Sequence, residues 1–232
     1  MSPRVSVLIP TWNRANLIGA AIESALHQTY QDFEVIVVDD GSEDGTADVV
    51  KRYDRVRYVP QSHRGIPVTR NRALEEASGE LLCWLDSDDM WAPEKLEKQV
   101  AYLDMHPECQ IVFCRYRNFS DSPDGGAQFQ RNDLNRADEK PDLACLATAC
   151  LRRTLIEKWG GYIEKYAYAE DTEWLMRVSA GGVDLGHCLE EELYWRRLHS
   201  GQITLSHEPV SGYAYFRLVS DAIRRAKERG SK

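Results

Sequence analysis

Residues 5–40 read VSVLIPTWNRANLIGAAIESALHQTYQDFEVIVVDD. Two short apolar runs rich in Val and Ile, VSVLIP from Val5 and FEVIVVDD from Phe33, bracket a stretch from Asn16 to Gln28. Within that stretch Leu17, Ile18, Ala21, Ile22, Ala25 and Leu26 share one helical face. Shortness and β-branched content make the two runs strands, and the helical period makes the bracketed stretch a helix. A strand, a helix and a strand in that order are joined by a crossover, so the strands lie parallel in one sheet. The pattern then repeats with a helix from Thr46 to Tyr53, a strand VRYVP from Val56, a helix from Val68 to Ala77 ended by Ser78-Gly79, and a strand ELLCWLD from Glu80. The expected product is an α/β fold whose mostly parallel sheet is flanked by helices and binds ligands beyond the carboxyl ends of its strands.

Further along, Pro93 opens a helix to Met105 and QIVFCRYRNF from Gln110 reads as another strand. Residues 120–142 are rich in Asp, Ser, Pro, Gly, Asn and Arg, a long polar excursion of the kind that serves as a lid. Beyond it the expected elements are an irregular stretch from Leu143 to Leu151, helices near Arg153 to Trp159 and Asp171 to Ala180, a hairpin from Val183 to Arg196, and a helix from Val210 to Arg229. The expectation is a single domain over 1–232, with a regular half at 1–105, a less regular half at 106–208 and a C-terminal helix at 209–232.

With 232 residues, 43% of them hydrophobic, the chain can bury a substantial core. Its net charge of −8 argues against a nucleic-acid partner, which would demand a basic surface. No apolar run approaches the roughly 20 residues of a membrane span, and MSPRVSVLIP is too short a stretch for a signal peptide, so a cytoplasmic location is expected. The six cysteines, at 83, 109, 114, 145, 150 and 188, form no Cys-x-x-Cys pair and are expected as reduced thiols.

The chemistry-bearing residues fall after the strands. No Gly-x-Gly-x-x-Gly follows the first strand and no Gly-x-x-x-x-Gly-Lys occurs, which argues against dinucleotide and P-loop chemistry. The first strand ends instead in Pro10-Thr11-Trp12-Asn13-Arg14, placing an aromatic ring and polar groups at the crevice. The second ends in Asp39-Asp40-Gly41-Ser42, whose acids either cap the Thr46 helix or face a ligand. The fourth ends in Leu85-Asp86-Ser87-Asp88-Asp89. Alternation lets Asp86 and Asp88 project to one side, where they either share a hard divalent cation or divide between the cation and a sugar hydroxyl, and three acids so close together call for a metal ion or cationic neighbours. Glu170-Asp171 opens a helix, where Asp171 serves either as an N-cap or as a general base. His199 lies in a loop, and imidazole added to carboxylates suits Mn²⁺ better than Mg²⁺.

The segments VSVLIPTWNR, VIVVDDGSEDGT, TRNRALEEASGE, LDSDD, GGY followed by AEDTEWLMR, and WRRLHSGQIT together resemble the family-2 glycosyltransferases, inverting enzymes of the GT-A fold. The resemblance runs in order from Val5 to Thr204. It implies a Rossmann-like sheet in a nucleotide-sugar-binding half at 1–105 and a less regular acceptor-binding and catalytic half at 106–208. Thr11 and Trp12 would flank the nucleobase, with Pro10 and Asn13 beside them. Asp40 would accept from uracil N3, and a carboxylate there favours uracil over cytosine, which lacks that N–H. Arg70 would lie near the diphosphate, Asp86 with Ser87 at the ribose, and Asp88, joined by His199, on Mn²⁺ or Mg²⁺. Asp171 would be the catalytic base, supported by Glu170.

The implied donor is a UDP-sugar and the implied acceptor a carbohydrate, a lipid-linked oligosaccharide or a protein, in polysaccharide or glycoconjugate biosynthesis. The Gln-x-x-Arg-Trp motif of processive members is missing, so addition of a single sugar is expected. The final helix sets Tyr213, Phe216 and Ile223 opposite Arg217, Arg224, Arg225 and Lys227, either packed on the core or in peripheral contact with the inner face of a membrane. Two other readings stand beside this one. Asp-Ser-Asp after an apolar strand also resembles the haloacid dehalogenase phosphohydrolases, although Met90 stands where a Thr or Val is usual, and a non-catalytic nucleotide-binding module would explain VIVVDDGS alone.

Overall fold

In the computed structural model, which describes residues 2–121, 127–129 and 145–199, the strands join in one sheet flanked by helices. β1 (Val5–Thr11), β2 (Phe33–Asp39), β3 (Val56–Pro60) and β4 (Leu81–Trp84) run parallel in the order β3-β2-β1-β4. Their crossovers carry α1 (Ile18–Leu26), α2 (Thr46–Val50) and α3 (Ile66–Glu76). Because β1 pairs with β2 on one side and β4 on the other, the strand order reverses there. That reversal opens a crevice between the loops that follow β1 and β4.

Both faces of the parallel half are covered, which is why its strands read as continuous apolar runs. Val5, Val7 and Ile9 pack with Ile18 and Ile22 of α1 and with Leu96 and Val100 of α4 (Lys95–Met105). On the other face Leu8, Ile36 and Val38 meet Ala73 and Leu74 of α3, together with Trp84, Trp159 and Trp174.

The second half extends the sheet with mixed directions. β8 (Cys150–Arg152) runs antiparallel to β4 and to β6 (Ile111–Asp121), which carries the short antiparallel β7 (Ala127–Phe129). β9 (Cys188–Arg197) runs parallel to β6 and antiparallel to β5 (Met90–Trp91). The hairpin expected from Val183 to Arg196 is therefore one strand. Residues 181–183 instead close the preceding helix, where Val183 N donates to Val178 O at 3.2 Å and Gly182 takes φ 90°. Of the expected 120–142 lid, residues 120–121 and 127–129 are paired ends of β6 and β7 and not loop, and the rest of it, like the whole expected C-terminal helix, lies outside the described residues. All six cysteines are unbridged, and among the described residues no helix is long and apolar enough to cross a membrane.

α5 (Arg153–Trp159) and α6 (Glu170–Ala180) are tied together through Arg177, one partner of a buried ion pair within α6. Glu173 Oε2 lies 3.0 Å from Arg177 Nη2, which also donates to Gly161 O at 2.8 Å, while Arg177 Nη1 donates to Trp159 O. Trp174 Nε1 adds a hydrogen bond to Gly160 O at 2.8 Å. These contacts fix where the N-terminus of α6 points. Removing one partner of a buried pair leaves the other charge uncompensated, so Glu173→Ala is expected to lower the unfolding free energy by about 3 kcal/mol or more in urea denaturation. A loss under about 1 kcal/mol would show that the pair does not hold α6 in place.

Candidate active site

The loops leaving the carboxyl ends of β1, β2, β3 and β4 meet at the crevice, each sewn to its neighbour. After β1, the Asn13 amide donates to Ser42 Oγ at 2.8 Å, and Asn13 Oδ1 accepts from Glu43 N at 2.9 Å. Pro10 lies within β1 opposite Val38. Thr11 is buried, with no hydrogen-bond partner for its hydroxyl among the described residues, whereas Trp12 is 47% exposed.

After β2 the two acids have structural tasks, and neither caps α2. Gly45 holds the N-cap, and Asp44 before it accepts from Thr46 N at 2.9 Å. Asp39 accepts from Ser42 N at 2.9 Å and from the Tyr58 hydroxyl at 2.6 Å. The buried Asp40 gathers the loop after β3: Oδ1 accepts from Gln61 Nε2 at 2.6 Å and Arg64 N at 2.9 Å, and Oδ2 from Gly65 N at 2.8 Å. Gly65 precedes α3 with φ 89°, a conformation that favours glycine, so Asp40 supplies the negative charge that a helix N-terminus attracts. His63 Nδ1 also lies 2.8 Å from Asp40 Oδ2.

After β4 the acids part company. Asp86 Oδ1 lies 3.4 Å from Arg70 Nη2. Asp88 Oδ2 lies 3.5 Å from Arg14 Nε and 3.1 Å from His199 Nε2, and Ser87 between them is buried. Asp89 turns inward, accepting from the Tyr194 hydroxyl at 2.6 Å and from Arg197 N at 2.8 Å. Each acid thus meets its own donor. Burial, then the charges of Asp88 and Asp171, push the Asp86 carboxyl up against the pull of Arg70.

The second half contributes Glu170 and Asp171, the first two residues of α6. Glu170 is buried with Oε1 3.3 Å from Arg70 Nε, and burial raises its carboxyl despite that partner. Asp171 is not the N-cap, a position held by Ala169; it lies in the first turn, where its Oδ1 accepts from Thr172 N at 2.6 Å. Arg70 sits beneath this group. Burial works against its charge, yet Asp86, Glu170, Tyr162 and Asp171 together hold its guanidinium protonated more firmly than usual. It also lies over the rings of Trp84 and Tyr162, 5.1 and 5.8 Å from their centroids.

Asp40, Asp86, Asp88, Arg70, Glu170, Asp171 and His199, all marked in the sequence, therefore come to one crevice. Arg14, Asn71 and Tyr162 join them without having been assigned a role. Asn71 Nδ2 donates to Tyr162 O at 2.8 Å and its Oδ1 accepts from Tyr162 N at 2.7 Å, tying α3 to the turn before α6. Each lies inside a segment that carries the resemblance, PTWNR, TRNRAL or GGY, and that position is their one sequence signal.

A family model described as Glycosyl transferase family 2 matches residues 6–159. The chain belongs to that family. It is 32% identical over 215 residues to an uncharacterized glycosyltransferase of Rickettsia typhi, covering 88% of this chain and 66% of that relative's length. It is 31% identical over 209 residues to the Escherichia coli UDP-Glc:alpha-D-GlcNAc-diphosphoundecaprenol beta-1,3-glucosyltransferase WfaP, covering 86% of this chain and 79% of WfaP. The crystal structure of S. aureus TarS 1-349 in complex with UDP-GlcNAc superposes with a TM-score of 0.74 at 21% identity, covering 99% of this chain and 70% of that one. The fold is thus that of the GT-A glycosyltransferases.

In this family-2 glycosyltransferase the loop after β3 depends on one carboxylate. Asp40→Ala is expected to speed amide exchange at Arg64 and Gly65 by about tenfold or more, read by hydrogen–deuterium exchange. Unchanged protection would show that other contacts hold the loop.

Proposed function

We propose that this glycosyltransferase is inverting, metal-dependent and non-processive, and moves one sugar from a UDP-sugar to an acceptor hydroxyl. The observation that carries the reading is the crevice itself, where Asp86, Glu170 and Asp171 surround the buried Arg70. Arg70 Nη1 and Glu170 Oε2 are buried there with no hydrogen-bond partner among the described residues. Buried polar atoms are almost always satisfied, so an orphaned donor and an orphaned acceptor on two paired residues fit a polar ligand that completes them. The name of the relative WfaP supports a UDP-sugar donor and a lipid-linked acceptor. A carbohydrate or protein acceptor fits the same chemistry, and the setting would be polysaccharide or glycoconjugate biosynthesis in the cytoplasm, including the inner face of the membrane. The family match leaves the phosphohydrolase reading without support.

On this reading Trp12 offers a ring face to the base, Asp40 accepts from its N3–H, and Asp86 accepts from the ribose. Arg70 sits close enough to this cluster to balance diphosphate charge. Among the described residues no group of three or more His, Cys, Asp and Glu forms a metal cage. Asp88 and His199 nonetheless fit a divalent ion such as Mn²⁺ or Mg²⁺, since a carboxylate oxygen and an imidazole nitrogen converge to 3.1 Å and donor phosphates supply further oxygens. Such an ion would offset charge building on the departing nucleoside diphosphate. Asp171 takes the proton from the attacking hydroxyl, and a single displacement at the anomeric carbon inverts it. Buried Glu170, paired with Arg70, keeps Asp171 in place at the start of α6.

Asp171→Asn is the direct test. It is expected to bind UDP within about twofold of wild type while transfer from a UDP-sugar, followed by UDP release, drops on the order of 10²-fold or more. Normal turnover in this variant would remove Asp171 from the mechanism.

A further inference from the structure

His63 touches both of the groups that the proposed function gives to the donor base. Its imidazole is stacked on the Trp12 indole, with ring centroids 4.5 Å and planes 26° apart. The same ring brings Nδ1 to 2.8 Å from Asp40 Oδ2 and to 3.1 Å from Asp40 O. An aromatic nitrogen heterocycle, stacked on Trp12 and hydrogen-bonded through a ring nitrogen to Asp40, has the two contacts a pyrimidine would make there.

The spacing excludes sharing. Ring faces pack at about 3.5 Å, so a third ring between Trp12 and His63 would need the two roughly 7 Å apart. A base using this face of Trp12 and this oxygen of Asp40 has to replace the imidazole.

The loop is built so that the side chain, and not the backbone, can give way. Gln61, Arg64 N and Gly65 N are fastened to Asp40 at 2.6–2.9 Å. Gly41, at φ 74°, passes so close that a Cβ on it would lie 2.8 Å from His63 N. Backbone on both sides of His63 is therefore pinned. Its side chain, 53% exposed, is held by one stack and one hydrogen-bonding nitrogen, with solvent on the open side.

We infer that His63 is an internal stand-in for the donor base: its imidazole occupies the base subsite when no donor is bound, and a nucleotide enters by exchanging with it on Trp12 and Asp40. The stand-in covers an exposed indole face and sets a ring nitrogen beside Asp40 Oδ2, which Gly65 N also serves, while the site is empty. It costs donor affinity, because each binding event gives up the His63 contacts. This inference rests on the reading that Trp12 and Asp40 hold the base.

The test is UDP titration calorimetry with Mn²⁺ on the full chain, paired with donor KM and kcat, for wild type, His63→Ala, His63→Asn and Trp12→Ala. His63→Ala is expected to tighten UDP binding by about three- to tenfold and to lower the donor KM by a similar factor, with a smaller change in kcat. His63→Asn, which loses the stack but keeps a donor for Asp40, is expected to lie between. Trp12→Ala is expected to weaken UDP binding. If Trp12→Ala weakens UDP while His63→Ala weakens it or leaves it unchanged, the imidazole is a wall of the pocket and the stand-in idea is overturned with the base reading intact. If neither substitution moves UDP affinity, the base binds elsewhere and both ideas fall.

Discussion

A guanidinium buried to the extent of Arg70 is tolerable only with charged partners, and that demand couples the two halves of the chain. Arg70 rides on α3 in the regular half. Its partners are Asp86 at the end of β4 and Glu170 at the start of α6, a hundred residues further on. A residue away, Asn71 makes a two-way hydrogen bond with the backbone of Tyr162, so α3 and the turn before α6 are held at two points. Shifting α6 along its axis would leave a cation and a carboxylate unpaired in a low-dielectric interior. The position of Asp171 follows from this restraint and from the Glu173–Arg177 pair further along the same helix.

A second tether repeats the logic with an acid at its centre. Asp89 is buried and accepts from Tyr194 and from the amide of Arg197, and burial with the nearby charges of Asp86 and Asp88 drives its carboxyl well up. Arg197 Nε in turn donates to Asp88 O at 2.9 Å. The end of β9 is thereby fastened beneath the loop after β4, and the chain leaving it delivers His199 to Asp88. Two long-range polar anchors, one on each side of the crevice, bring Asp171 and His199 to residues encoded more than eighty positions earlier.

Much of this was legible because the regular half is written in local signals. Short β-branched apolar runs and period-3.6 patterns from Val5 to Leu85 give strands, helices and the crevice, and the acids after β2 and β4 announce themselves by their crowding. What could not be read was which acid does what. Asp39 and Asp89 look like ligand-facing carboxylates in sequence, yet each is taken up by protein donors that come from distant segments. The hairpin expected over Val183 to Arg196 failed for the same reason: β9 pairs with β6 and β5, and alternation in one stretch says nothing about a partner seventy or a hundred residues away. Lys95 is a further case, a fully buried lysine whose ammonium donates to Gln99 Oε1 at 2.7 Å and lies over Trp91. Nothing about a lysine in the first turn of an amphipathic helix marks it as interior.

On the proposed function, the crevice holds a nucleoside diphosphate together with a divalent ion. Calorimetric titration of UDP into the purified chain with Mn²⁺, repeated with EDTA and with GDP in place of UDP, addresses this most directly. Binding that requires the metal and favours UDP over GDP is the expected result. No binding of either nucleotide with Mn²⁺, or equal affinity with and without EDTA, would contradict it.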